Sequence, residues 1–315
     1  KKIVNNARGK TMFNFMNIMT LQATFTAEGE GNLPEYPGST IRGIMGHCFR
    51  DIVCNMRDRK CFACKRQYDC IYVHNFCNTR GEGGAVNPFV LYPHVQGKTV
   101  WRQGEECVFD LTLFGYAAQN PEIFIDVLKR MERKGWGAAR IPFKLQSISN
   151  MDTGRLIYAG NRTWLGNLRK HSMNIQAESA GMALVVFDTP VRIVSCGKVC
   201  SELPFQVFMR FLMGRFTLMT QAFTDFVMEW NQEEMINRAA QIRIVEQRWR
   251  KIDFSRYSMN QKNNKLELPS QIGSVLYEGD LTAFTPYLEA GKYMHVGKNT
   301  TIGFGHYHIF YNGED

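Results

Sequence analysis

The sequence predicts an α+β chain of two tandem ferredoxin-like domains, each with the order βαββαβ, the first carrying a cysteine-rich insert. Three observations predict it. The 315 residues suit two domains of about 150 residues each, and 44% hydrophobic content is enough to fill both cores. Strand-like and helix-like periodicities occur in the same order twice along the chain. Four of the nine cysteines, Cys54, Cys61, Cys64 and Cys70, crowd one short stretch between a helix and the next strand pattern.

In the first domain, residues 1–150, the strand "MFNFMNIMTLQATF" precedes the helix "STIRGIMGHCFRDIV". Residues 54–88 form the insert, and "FVLYPHV" and "CVFDLTLFG" alternate as strands. The helix "PEIFIDVLKRMERKG" has Pro121 suited to its first turn and Gly135 to its end, and "FKLQSIS" is the last strand. A polar, glycine-bearing linker from Asn150 to Gly181 leads into the second domain, residues 151–315. There "MALVVFDTPVRIVS" is followed by a long helix from Pro204 to about Trp230 and strands around "QIRIVEQRW" and "GSVLYEGDL". A short helix "LTAFTPYLEAG", a glycine-rich loop over 291–305 and the strand "HYHIFYN" complete it.

The formal net charge is +9, from 38 Lys+Arg against 29 Asp+Glu, which favours polyanionic partners. The basic residues recur inside structured segments such as "FMRFLMGRF" and "EQRWRKIDFSRYS", so they suit a folded binding surface better than a tail. No apolar run approaches the ~18 residues of a membrane span, and "KKIVNNARGK" lacks a signal-peptide core. A soluble, cytoplasmic protein is the expectation. The chain opens on Lys1 without a Met, as a trimmed or tagged chain or a piece of a longer one would.

The stretch "GKYMHVGKNTTIGFGHYHIF" invites a nucleotide-binding reading, which fails. Gly291 to Gly297 is one residue too long for a P-loop, and Asn299 follows Lys298 where Ser or Thr is required. After Gly303 and Gly305 the third position of a dinucleotide fingerprint is His308, with no room for a following helix and strand. A tight turn would need one or two glycines, so four favour a loop whose N–H groups, beside Lys292 and Lys298, contact the phosphates of a strand. His295, His306 and His308 read as structural residues of that loop and strand.

Projecting the first helix at ~100° per residue sets Ile41, Ile44, Met45, Cys48, Phe49 and Ile52 on one face. Gly43, His47 and Arg50 lie on the other. His47 is thus predicted to face outward, with bare backbone at Gly43 one turn before it and a permanent cation at Arg50 one turn after. Imidazole can exchange a proton near neutral pH, and Arg50 can stabilise charge on a phosphorane. Together they meet the needs of metal-free RNA cleavage, in which a base activates the 2′-OH and an acid protonates the departing 5′-oxygen. The competing reading is a surface histidine without a role. Cys54, Cys61, Cys64 and Cys70, spaced C-x6-C-x2-C-x5-C, offer the four thiolates of a structural zinc site, with Cys77 or His74 as substitute fourth ligands. A closed four-ligand site is not a catalytic one.

These segments resemble the CRISPR-associated RAMP endoribonucleases that cut precursor CRISPR RNA within its repeats. The carriers are "YPGSTIRGIMGHCFRDIVC", the cysteine run from Cys61 to Tyr72, "GRFTLM", "WRKIDFSRYSMNQ" and "GDLTAFTPYLEAGKYMHVGKNTTIGFGHY". The resemblance implies tandem ferredoxin-like domains and metal-independent cleavage leaving a 5′-hydroxyl and a cyclic or 3′ phosphate. It also implies a histidine general acid/base on the first helix, which falls on His47. Some relatives add a tyrosine before this helix and a lysine after it. Tyr36 and Arg50 stand nearest, but arginine cannot donate a proton, so Arg50 is left charge stabilisation. The terminal loop would bind RNA, with Arg42, Arg256, Tyr257, Lys292, Gly297, Lys298, Gly303 and Gly305 as contacts and Tyr257 as a base-stacking ring. Implied partners are repeat RNA, effector-complex subunits, or fused reverse transcriptase and integrase segments. The rival function is a non-cleaving RAMP subunit that binds guide RNA. A double-RRM protein is disfavoured by the lack of an RNP1 aromatic pattern.

Overall fold

The computed structural model describes residues 1–5, 11–56, 60–77, 86–195, 197–257 and 265–313. The chain divides into two compact units, one of residues 16–172 with 222–224, the other of residues 1–15, 173–221 and 225–315. The boundary therefore falls after Ser172, beyond the expected position at 150, and the first fifteen residues go with the second unit. Strand pairing is the cause. Lys2–Asn5 pairs in parallel with Phe226–Glu229, and Thr11–Met12 pairs with Ile175–Gln176.

In the unit of residues 16–172, β1 (Asn17–Ala27) leads to α1 (Gly38–Val53) and, after the insert, to β2 (Phe89–Pro93). Then come β3 (Glu106–Phe114), α3 (Glu122–Met131) and β4 (Phe143–Asn150). The insert contributes a six-residue helix α2 (Ile71–Phe76). The strands lie in the order β4-β1-β3-β2, all antiparallel, extended beyond β4 by the hairpin β5 (Arg155–Ala159) and β6 (Arg162–Thr163).

Period-two alternation explains the two faces of this sheet. Leu21, Ala23 and Phe25 of β1 are buried, while Thr20, Gln22, Thr24 and Thr26 between them are half-buried on the other face. Phe25 stacks on Phe109 with ring centroids 5.9 Å apart, and Phe49 of α1 meets Phe124 of α3 edge to face at 5.6 Å. That contact sets α1 beside α3, which decides which residues surround His47.

The other unit repeats the order with β7 (Met182–Val191), α4 (Phe205–Phe223), α5 (Gln232–Ala239), β8 (Arg243–Tyr257), β9 (Lys265–Glu278), α6 (Thr285–Met294) and β10 (Tyr307–Tyr311). The antiparallel sheet runs β8-β9-β7-β10. Its core face carries Phe187, Tyr277 and Tyr307, which pack on Phe205 and Phe208 of α4. Pairing of β9 with β7 stops at Gln271, whereas β8 and β9 pair on to Tyr257 and Lys265. The hairpin thus runs past its sheet as a two-stranded ribbon.

The long helix expected to reach Trp230 ends at Phe223, because Phe226–Glu229 becomes the strand paired with the N-terminus. Asn231 then caps α5, its side chain accepting the Glu234 N–H at 3.2 Å.

Candidate functional site

α1 starts after Pro37 with no side-chain cap, and its buried positions Ile41, Ile44, Met45, Cys48 and Phe49 repeat at helical spacing. His47 is consequently exposed, as the projection predicts. One turn back, a Cβ built on Gly43 would meet nothing within 4 Å. One turn on, Asp51 forms an ion pair with Lys134 at 2.8 Å, the lysine coming from the turn that ends α3.

The His47 imidazole is held below its ordinary pKa by partial burial first and by Lys134 second; Asp51 opposes them and Arg50 adds a smaller push in the same direction. A ring so held is neutral at neutral pH and fit to accept a proton. The stronger cation beside it is Lys134, which the sequence alone does not point to. Its signal lies in topology: a βαββαβ order brings both helices to one face of the sheet, so the basic end of "VLKRMERKG" lies near α1.

Arg50 is turned toward the insert. It hydrogen-bonds the Cys54 thiol, which together with Cys61 and Tyr72 strengthens its charge. Tyr36 lies in the bend before Pro37, outside α1 and more than two helical turns before His47. Arg42 is also engaged internally, donating to the Phe76 carbonyl at 3.1 Å with its guanidinium 5.8 Å from the Phe76 ring centre.

The insert braces α1 through α2, whose Tyr72 and Phe76 rings lie 6.1 and 5.1 Å from Phe49. Cys70 begins this helix and Cys77 ends it, about 10 Å apart by helical rise. The Cys77 thiol hydrogen-bonds that of Cys61, and burial followed by Cys61 pushes it up to about 12. Cys61 therefore sits at the end of α2 away from Cys70. Among the described residues Cys54, Cys61, Cys64 and Cys70 are not gathered around one point; the group of three or more ligand atoms within 4.8 Å is Asp188, His306 and His308.

The glycine-rich stretch differs from the expected open cradle. Gly291 and Lys292 belong to α6, and Lys292 pairs with Glu289 at 2.5 Å. A Cβ on Gly291 would lie 2.1 Å from the Tyr307 hydroxyl, so this glycine lets α6 close onto β10. Gly305, at φ +77°, would place a Cβ 1.9 Å from the Val296 carbonyl. Several of its backbone donors are already used. Gly303 N–H donates to Thr300 O at 3.1 Å, Gly305 N–H to Pro190 O at 2.8 Å and Lys298 N–H to Arg192 O at 2.8 Å. Gly297 abuts the Arg192 carbonyl. What the loop offers outward is the exposed Lys298 side chain. Arg256 and Tyr257 pair through their backbones on the ribbon, and their side chains lie outside the described part of the structure.

The fold matches solved structures over nearly the whole chain. A partial Cas6-RT-Cas1--Cas2 complex superposes with a TM-score of 0.61 at 12% identity, covering 95% of this chain and 47% of that one. The chain thus spans about half of that relative. A Cas6 product complex gives 0.55 at 14% identity over 93% of this chain and 100% of that one. Cas6 of Thermus thermophilus gives 0.54 at 13% identity over 94% and 99%. No curated protein matches the chain by sequence. Residues 15–173 match the family AF_1859_N, described as an N-terminal domain, and residues 185–307 match CRISPR-associated endoribonuclease Cas6.

A pair of antiparallel sheets backed by helices is thus a fold that this chain shares with CRISPR-associated proteins. The chain carries a domain of the Cas6 family of CRISPR-associated endoribonucleases over residues 185–307.

Proposed function

We propose that this chain cleaves precursor CRISPR RNA within its repeats by attack of a 2′-hydroxyl. The observation that carries the reading is His47, solvent-exposed on α1 and held neutral beside Lys134. In this mechanism His47 takes the 2′-OH proton and the oxygen attacks the adjacent phosphorus. The bond to the 5′-oxygen breaks and that oxygen takes up a proton, from the imidazolium so formed or from water, leaving a 2′,3′-cyclic phosphate and a 5′-hydroxyl. The Lys134 ammonium stabilises the charge gathering on the phosphorane, a role for which Arg50 is less well turned. The strand order of both sheets supports the ferredoxin-like assignment, in which α1 lies against one sheet face and its far side is left for RNA.

Likeness to the Cas6 part of a Cas6-RT-Cas1--Cas2 assembly supports reverse transcriptase and integrase segments as partners.

The deciding experiment incubates labelled repeat RNA with the chain in EDTA, wild type beside His47→Ala. Cleavage by wild type, loss in His47→Ala with RNA binding kept, and protection by a 2′-deoxy nucleotide at the scissile position are expected. Binding without cutting by both proteins would favour the guide-RNA binder. Undiminished cutting by His47→Ala would remove the imidazole from the mechanism.

A further inference from the structure

The geometry points to a second, independent site: Asp188, His306 and His308 form a binding site for a borderline divalent transition-metal ion such as Zn²⁺, Co²⁺ or Ni²⁺. Asp188 lies near the end of β7, and the antiparallel register sets Val186 opposite His308 and Phe187 opposite Tyr307. Phe187 and Tyr307 face the core, so period-two alternation turns Asp188, His306 and His308 together to the sheet's other face.

The carboxylate reaches both rings. Its Oδ1 lies 2.6 Å from His306 Nδ1 and its Oδ2 lies 3.2 Å from His308 Nε2. All three ligand atoms fall within 4.8 Å of one another. Bonds of about 2.0–2.2 Å in a tetrahedral site imply ligand atoms about 3.4 Å apart, so small side-chain rotations would close the trio on an ion.

Two imidazole nitrogens and one carboxylate oxygen suit a borderline ion, whereas Ca²⁺ and Mg²⁺ seek oxygen ligands. The exposure is graded in a way that suits entry of an ion: the His306 side chain is 16% exposed, Asp188 25% and His308 54%. A water can occupy the fourth position beside His308. Thr189 Oγ1 accepts the His306 backbone N–H at 2.9 Å and fixes that residue. Behind it, His295 is buried with its ring 5.1 Å from that of His306.

His306 follows Gly305 directly, and an ion here would tie the end of the glycine-rich loop to β7. The site's role would be to fix that loop, and its occupancy does not depend on RNA cleavage.

The test uses Co²⁺, added to the chelator-treated full chain and followed by visible absorption. Expected is a ligand-field band saturating at one equivalent without the sulfur-to-cobalt charge transfer that a cysteine site would give, together with a rise in Tm. His308→Ala, on an exposed side chain, should lower the affinity at least tenfold and Asp188→Asn should do the same, while Cys61→Ser should leave the band in place. Absence of the band in wild type, or full affinity in His308→Ala, would overturn the site.

Discussion

The chemistry at His47 depends on which charges surround one imidazole. With its pKa held low by burial and Lys134, cleavage should rise with pH along a limb centred below the free value of about 6.5 and be flat by neutral pH. Lys134→Ala removes a cation that favours the neutral ring, so the limb should move to higher pH while the plateau rate falls by about 10- to 100-fold. Asp51→Asn removes the opposing charge and should move the limb to lower pH. A pH–rate profile of both variants checks the signs, and shifts in one common direction would refute this account of the ring. The sequence made His47's outward orientation legible because a single helix has a fixed period. Lys134 was not legible, since its place beside α1 depends on how α3 packs, and the same packing diverts Arg50 and Arg42 toward the insert.

Elements were legible wherever periodicity was long and uninterrupted: α1 and β3 lie where the pattern sets them, α3 and β7 end four residues early, and β1 starts at Asn17, with Met12 in a separate strand. The failures have local causes. Phe226–Glu229 reads as helix in isolation and becomes a strand because a distant segment, Lys2–Asn5, supplies its partner. The cap Asn231 and Glu234, an N-x-x-E signature, marks the start of α5 and could have corrected that boundary. The number of glycines near the C-terminus suggests a ligand cradle, yet close packing and internal hydrogen bonds account for Gly291, Gly297, Gly303 and Gly305. Gly291→Ala should therefore destabilise the fold by about 2–4 kcal/mol, because the new methyl would displace the Tyr307 hydroxyl from its 2.6 Å hydrogen bond to the Leu288 carbonyl. Gly43→Ala works the other way. Nothing opposes its methyl, and helix propensity should add up to about 1 kcal/mol of stability. If RNA approaches the bare backbone beside His47, that more stable variant should bind and cut less well. Chemical denaturation and a binding assay on the two variants separate packing from contact.

At the scale of the whole molecule, a net charge of +9 carries weight only if much of it meets phosphate. The loop contributes less than its glycines suggested, since Lys292 is paired and the amides of Lys298, Gly303 and Gly305 are satisfied. Affinity must then come from side-chain cations dispersed over the surface, Lys298 among them, and not from one backbone cradle. A dispersed footprint has a measurable consequence. If about five phosphates of single-stranded RNA are neutralised, log affinity should fall with log salt at a slope of about −3.5, a loss of about 100-fold between 50 and 200 mM. Removing one exposed cation, as in Lys298→Ala, should flatten the slope by about 0.7 and weaken RNAs of different sequence alike. His47→Ala should leave the slope unchanged, because a neutral ring displaces no counterion. A slope shallower than about −1 in the wild type would mean that shape or stacking, and not the basic surface, holds the RNA. An unchanged slope in Lys298→Ala would take that lysine out of the interface while leaving His47 in place.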